Sequence, residues 1–241
     1  MNRYYYDLHI HSCLSPCGDD DSTPNNIAGM ATLCGLNIVA LTDHNTCKNC
    51  PAFFEAAKSY GIIPIAGMEL TTSEDIHVVC LFEHLSDALE FDKYVEDNRV
   101  KIKNKPEIFG KQTVLDKNDE PLCEVESLLI NATNISVEDV CDVVASYNGI
   151  CYPAHIDRDA NGIIAVLGSL PDCGFKFYEL HDGDRIDEFS ERYGIPKERF
   201  IISSDAHYLT DMRDKEAYLD IEDEPYSSSL VRSRLFELFK R

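Results

Sequence analysis

A chain of 241 residues, 44% of them hydrophobic, is long enough to bury one sizeable core. It has no apolar run of the roughly 18 residues a membrane span needs and no basic stretch leading into an apolar one, so neither a membrane partner nor a secretion signal is expected, and a cytoplasmic location is. A formal charge of −21 argues against broad binding to long nucleic acid, and ten cysteines in such a chain read as reduced thiols rather than a disulfide framework.

The first strand is Tyr4-Tyr5-Tyr6-Asp7-Leu8-His9-Ile10-His11. Side chains alternate along a strand, so His9 and His11 fall on one side, where two neutral nitrogen lone pairs suit a metal ion. A turn-rich loop runs from Ser12 to Asp21. Thr23 then caps, and Pro24 opens, a helix that carries Ile27, Met30, Ala31 and Cys34 at helical spacing and stops at Gly35. A second strand, 37–42, runs into Asp43-His44. A helix over 52–60 stops at Gly61, and a third apolar run, 62–68, ends at Glu69. After a turn at Ser73–Asp75, residues 76–82 form a fourth strand with His77 near its start. This is the β-α-β-α-β rhythm of a parallel sheet or barrel.

Residues 84–135 break the rhythm with a charged helix over 87–99, a basic patch (Lys101, Lys103, Lys105) and a hairpin around 116–119. They read as an insertion within a single domain spanning 1–241, either a lid over the site or a peripheral embellishment. The rhythm resumes with a helix over 136–147, opened by a capping-box-like Ser-x-x-Asp. Strands follow that end at His155, at His181 and at Asp205-Ala206-His207. A short strand at 218–221 and an amphipathic helix at 228–240 complete the chain.

His9, His11, His44, Glu69, His155, Asp205 and His207 thus fall at the C-terminal ends of successive strands, the rim on which β/α barrels build active sites. Mixed imidazole and carboxylate donors suit Zn, Mn or Fe. A carboxylate bridging two ions about 3.5–4 Å apart lowers the pKa of a shared water and neutralises charge on a phosphoryl transition state. Arg158 has the planar fork to clamp phosphate oxygens, or it pairs with Asp157 or Asp159. Asp43 is placed to orient a ligand imidazole. His181 is either a general acid toward the leaving oxygen or an ordinary rim histidine. Cys13, Cys17, Cys47 and Cys50 lie in the loops after the first two strands, where four thiolates would hold an additional zinc or an iron–sulfur group; free thiols are the other reading.

Six motifs occur in order: Asp-Leu-His-Ile-His-Ser, Leu-Thr-Asp-His-Asn, Gly-Met-Glu-Leu-Thr, Asp-Ile-His-Val-Val, Pro-Ala-His and Ser-Ser-Asp-Ala-His. Together they resemble the PHP (polymerase and histidinol phosphatase) family over nearly the whole chain apart from 84–135. The resemblance implies an α/β fold, a distorted (β/α)7 TIM-like barrel with an insertion after the fourth strand, and a phosphoesterase centre of two or three divalent ions. It implies one ion among His9, His11, Glu69 and Asp205. Glu69 would bridge to a second, held also by His77 and His155. A third would use His44, His207 and a carboxylate of the loop after His11. Relatives place that carboxylate five residues before the helix-opening Pro, which selects Asp19, with Asp20 the alternative. The implied activity is hydrolysis of small phosphate esters such as nucleotide or sugar phosphate monoesters. A nuclease on short oligonucleotides, a histidinol phosphatase, an amide hydrolase and a non-catalytic metal-binding module are the alternatives.

Overall fold

The computed structural model describes residues 1–240. In chain order the elements are β1 (Asn2–Asp7), α1 (Pro24–Leu33), β2 (Ile38–Leu41), α2 (Cys50–Tyr60), β3 (Ile63–Thr71), β4 (His77–Phe82), α3 (Leu85–Asn98), α4 (Pro106–Phe109), β5 (Thr113–Leu115), β6 (Pro121–Glu124), α5 (Val140–Ser146), β7 (Ile150–Pro153), α6 (Ile163–Leu167), β8 (Tyr178–Leu180), α7 (Ile186–Tyr193), β9 (Phe200–Ile202), β10 (Tyr218–Ile221) and α8 (Ser228–Lys240). Thr23 caps α1 as its sequence suggests, accepting from the Asn26 amide, and Gly61 closes α2 in the left-handed conformation.

Six strands form one curled sheet in the order β10-β1-β2-β3-β4-β7, and β8 and β9 form a parallel pair. Two contacts tie that pair to the sheet on either side. The Ile156 amide donates to the Glu179 carbonyl at 2.9 Å beside β7, and Ile10 bridges Ala206 in parallel beyond β1. The result is a mixed α/β fold whose sheet curls around an apolar interior. Period-two alternation assigns the faces. Tyr4, Tyr6, Leu8, Ile38, Ala40, Ile63 and Ile65 point inward, while Val39, Leu41, Ala66 and Met68 point outward against the helices. Strands covered on both sides need apolar residues at every position, which is why β2 and β3 are buried throughout. Val231, Leu235, Phe236 and Phe239 of α8 join the inward set and close the end of the interior away from the site.

The parallel rhythm expected for the first four strands fails at β4, which runs antiparallel to both β3 and β7. Only the Thr72–Ile76 turn separates β3 from β4, and a parallel return needs a crossover of about a dozen residues or more. The reversal has a functional consequence. The start of β4, not its end, lies on the rim where the parallel strands end, and His77 is its first residue. Helix α3 follows directly and buries Ala88, Phe91 and Val95 in the outer core. Residues 99–135, with the expected hairpin between β5 and β6, stand on the rim. Asn45 Nδ2 donates to the carbonyls of Leu129 and Asn131 at 2.6 and 3.0 Å, and the Thr133 amide donates to the Thr71 carbonyl at 2.9 Å. No described helix is long and apolar enough to cross a membrane.

Close approach of β3 and β4 requires Gly67, where an added Cβ would lie 2.7 Å from the Cys80 carbonyl oxygen and 2.8 Å from Leu81 Cδ2. Gly67→Ala is therefore expected to destabilise the chain by about 1–3 kcal/mol. A denaturant midpoint equal to that of the parent chain would contradict this.

Candidate metal centre

The rim gathers a buried knot of imidazoles around one carboxylate. Glu69 is 1% exposed and faces five histidines. Its Oε1 lies 2.8 Å from His77 Nδ1, 3.1 Å from His155 Nε2 and 3.4 Å from His9 Nε2. Its Oε2 lies 3.0 Å from His44 Nδ1 and 3.3 Å from His11 Nε2. Asp205 supplies the second carboxylate, with Oδ1 at 3.3 Å from both His9 Nε2 and His11 Nε2. Three groups of donors lie close enough to share an ion: His9, His11, Glu69 and Asp205; His44, Glu69 and His77; and His11, His44 and His207. Backbone strain marks the site as well. His155 at φ +28° and Asp205 at φ +53° are non-glycine residues in the left-handed region, held there by their surroundings.

The surroundings also decide which nitrogen each imidazole presents. A carboxylate only accepts, so the Ser15 hydroxyl proton goes to Asp43 Oδ1 at 2.7 Å. Ser15 Oγ then accepts from His11 Nδ1–H at 2.9 Å, leaving the Nε2 lone pair of His11 facing the two carboxylates. Asp43 is further held by the Ser12 amide and hydroxyl, each at 2.7 Å. It therefore orients a ligand imidazole as expected, but the one it reaches through Ser15 is His11. His9 is fixed in the same way by Glu179, whose Oε1 accepts from His9 Nδ1–H at 2.9 Å and from the His155 amide at 3.1 Å. His207 donates Nδ1–H to the Asp205 carbonyl at 2.9 Å and stacks on His11.

Charge in the site is divided between two kinds of imidazole. Burial alone would lower His11, but its bonds to Asp205 and Glu69 outweigh that and raise it to about 9. His9 also rises against its burial, on the attraction of Glu179, Asp205 and Glu69. Burial holds His44 down at about 4 and His207 at about 3. Glu69 and Asp205 stay ionised despite burial, because the surrounding imidazoles (His77 first for Glu69, His9 for Asp205) hold both well below the usual carboxylate range. Buried atoms without a hydrogen-bond partner cluster here: Glu69 Oε2, Asp205 Oδ1, His44 Nδ1 and His155 Nδ1. Lone pairs left bare away from water are costly unless a cation takes them, so this donor set fits divalent ions.

Two expected groupings are not brought together among the described residues. Asp19 joins none of the three groups. Its amide is tied to the His207 carbonyl, and its carboxylate turns back to accept from the Asp21 amide at 2.9 Å, while Asp20 is exposed. What meets His44 from that loop is a thiol, Cys17 Sγ at 3.2 Å from Nε2. A side chain on the next residue is excluded, since a Cβ on Gly18 would lie 2.2 Å from the Ser12 carbonyl oxygen. The four-cysteine group does not form among the described residues either. Cys47 and Cys50 sit beneath β3 against the Gly67 carbonyl, facing away from Cys17 on the rim.

Arg158 reaches the site as expected, pairing with Asp205 rather than with Asp157 or Asp159. It also donates from Nη2 to His181 at 3.0 Å. Two functional groups were missed in the sequence. Arg213 brings a second guanidinium to His181 at 3.3 Å, with nothing in its local sequence to single it out. A groove of about 610 Å³ beside it is lined by His181, Asp182, Gly183, Asp184, Arg213 and Glu216. Glu179 is the other, and it did leave a signal, as an acid within the apolar run Phe-Tyr-Glu-Leu. Glu179→Ala is expected to weaken ion binding and activity by about 10- to 100-fold, with Glu179→Gln recovering part because its amide oxygen still accepts from His9. Ion competition against a chelating dye reads this directly, and unchanged affinity in the Ala variant would sink it.

Comparison with known proteins finds relatives of part of the chain and of its fold. The 5′-3′ exoribonuclease of Haemophilus influenzae is 36% identical over 91 residues, a match covering 36% of this chain and 29% of that relative. The lesion-specific endonuclease EndoQ of Pyrococcus furiosus superposes with a TM-score of 0.70 at 21% identity, covering 99% of this chain and 56% of EndoQ. An amidohydrolase of Chromobacterium violaceum superposes with a TM-score of 0.59 at 18% identity, covering 97% of this chain and 96% of that one. This chain therefore spans less than two thirds of the exoribonuclease and of EndoQ. The family model described as the PHP domain matches residues 7–157, well over half of the chain and including His9, His11, His44, Glu69, His77 and His155. The chain belongs to the PHP domain family, a family of metal-dependent phosphoesterases.

Proposed function

We propose that the chain is a metal-dependent phosphoesterase. The observation that carries this reading is Glu69 at the centre of five imidazoles, with Asp205 as a second carboxylate and bare lone pairs on both. The ligand sets are His9, His11, Glu69 and Asp205 for one ion and Glu69, His77 and His155 with His44 for a second; a third lies among His11, His44 and His207. When bound, such ions supply Lewis acidity toward phosphoryl oxygens and acidify a water. The chain's own residues do the rest. Ser15, Asp43 and Glu179 aim the imidazoles. Arg158, with Nη1 on Asp205 and Nη2 on His181, brings a guanidinium charge to the phosphate oxygens, and Arg213 brings a second cation to the same place. Burial, then Arg158 and Arg213, lower the pKa of His181. Its ring faces both guanidiniums and serves them as an acceptor.

The substrate we favour is a small phosphate ester, a nucleotide or sugar phosphate monoester, because a surface of charge −21 repels long polyanions. A second reading, nuclease action on short single strands, draws on the names of the exoribonuclease and EndoQ relatives. Release of phosphate from an aryl phosphate, its diester analogue and a set of nucleotides, with an aryl amide as the control for amide hydrolysis, tests both. The monoester reading predicts at least about tenfold preference for the monoester. Diester preference selects the nuclease, and cleavage of the amide alone overturns both.

A further inference from the structure

We propose that the ledge formed by residues 99–111 binds the phosphate backbone of a single-stranded nucleic acid whose reacting linkage lies in the metal centre. This inference rests on the nuclease form of the reading above. The chain carries 22 Lys and Arg against 43 Asp and Glu, yet between 99 and 117 it has Arg99, Lys101, Lys103, Lys105, Lys111 and Lys117 against only Glu107 and Asp116. Lys101, Lys103, Lys105 and Lys111 are exposed. Among the described residues Lys111 has a carboxylate at 3.8 Å, and Lys101, Lys103 and Lys105 have none within ion-pair reach. Three exposed lysines without a carboxylate partner leave a local positive stripe, suited to an anion, on an otherwise acidic chain.

The ledge is built to hold its shape. Arg99 is buried and spends its guanidinium on the Leu128 carbonyl at 2.6 Å and Ser127 Oγ at 2.8 Å. Arg99 pairs with Thr133 and Lys103 with Ser127, while Asn104 Nδ2 donates to the Gly110 carbonyl at 2.9 Å. With the backbone so fixed, the lysines stand outward with Val100, Ile102 and Ile108 between them, 45%, 54% and 65% exposed. Cations interleaved with apolar side chains suit a strand of nucleotides, whose phosphates take the charge and whose sugars and bases lie on the apolar surface. Position points the same way. The 127–133 strip inside the ledge is bonded to Asn45, the neighbour of His44, and to Thr71, the cross-strand partner of His77. Gly110 sits against the Pro16 carbonyl of the loop that carries Cys17.

The test is the triple variant Lys101→Glu, Lys103→Glu, Lys105→Glu against the parent chain, both loaded with Mn. The substrates are a fluorescein-labelled ten-nucleotide single strand and an aryl phosphate. At about 50 mM salt the variant is expected to lose about 10- to 100-fold in kcat/KM on the oligonucleotide, and the dependence of log(kcat/KM) on log salt is expected to flatten by about 2. The aryl phosphate should be turned over as before. Equal loss on both substrates, or no loss on the oligonucleotide, overturns the ledge. If the parent chain does not cleave the oligonucleotide, the nuclease reading fails and anisotropy of the same strand still tests the surface. Salt-sensitive binding weakened in the variant supports it, and unchanged or absent binding overturns it. Sedimentation that shows a dimer lost in the variant would assign the ledge to a second copy's acidic surface instead.

Discussion

Glu69→Gln is expected to lower phosphate release by about a thousandfold or more while leaving the fold intact. Both carboxylate oxygens face imidazoles, Oε1 toward His9, His77 and His155 and Oε2 toward His11 and His44. A glutamine of the same size turns one oxygen into an NH2 donor aimed at nitrogens that must themselves keep a lone pair for an ion. It also removes the charge shared by two ion sites. Lewis-acid stabilisation of a phosphoryl transition state amounts to several kcal/mol, and each ~1.4 kcal/mol lost is about tenfold in rate. Metal analysis should show fewer ions per chain alongside the lost activity, with far-ultraviolet circular dichroism unchanged. A variant that keeps its full ion content and a tenth or more of the activity would remove Glu69 from the centre of the account.

The second large effect is the pH dependence of stability once the ions are stripped. His11 has a folded pKa near 9 against an ordinary 6.5. Its contribution is therefore complete below about pH 6.5 and is lost as pH rises through about 9, roughly 3 kcal/mol for that group alone. His9 shifts the same way. His44, at about 4, and His207, at about 3, act in the opposite sense. They are held neutral in the fold, so falling pH below about 6.5 favours the unfolded chain, which takes their protons. The stripped chain is thus expected to be most stable near pH 6.5 and to weaken on both sides. Bound ions displace the protons of His9 and His11, so added Mn should abolish the alkaline decline and raise the thermal midpoint. A flat stability profile from pH 6.5 to 9 in the stripped chain would contradict this account of the site.

Much of the site was legible because its chemistry is written at strand ends. His9-x-His11, Asp43-His44, Glu69, His155 and Asp205-x-His207 each follow an apolar run, and parallel strands of a curled sheet deliver such positions to one rim. His77 was legible as a residue, but its place was not understood, since only the reversal of β4 brings the start of a strand to that rim. The loop after His11 is not legible from spacing alone, for a physical reason. A count of residues to Pro24 fixes a position along the chain, whereas the turns at Ser12–Ser15 and Ser15–Gly18 decide which side chain faces inward, and they present Cys17. The cysteine grouping failed similarly, because nearness in two adjacent loops says nothing about which face of β3 each thiol occupies. Arg213 lay beyond sequence reading altogether. It reaches His181 only across a tertiary contact, from the loop between β9 and β10.

One measurement tests the central claim most directly: phosphate release from an aryl phosphate by the chelator-stripped chain as Mn is added back, with bound ions counted at each step. The account predicts no release from the stripped chain and a rise that follows filling of the sites around Glu69. Release from the stripped chain, or a chain that fills those sites and releases nothing from any phosphate ester, would contradict it.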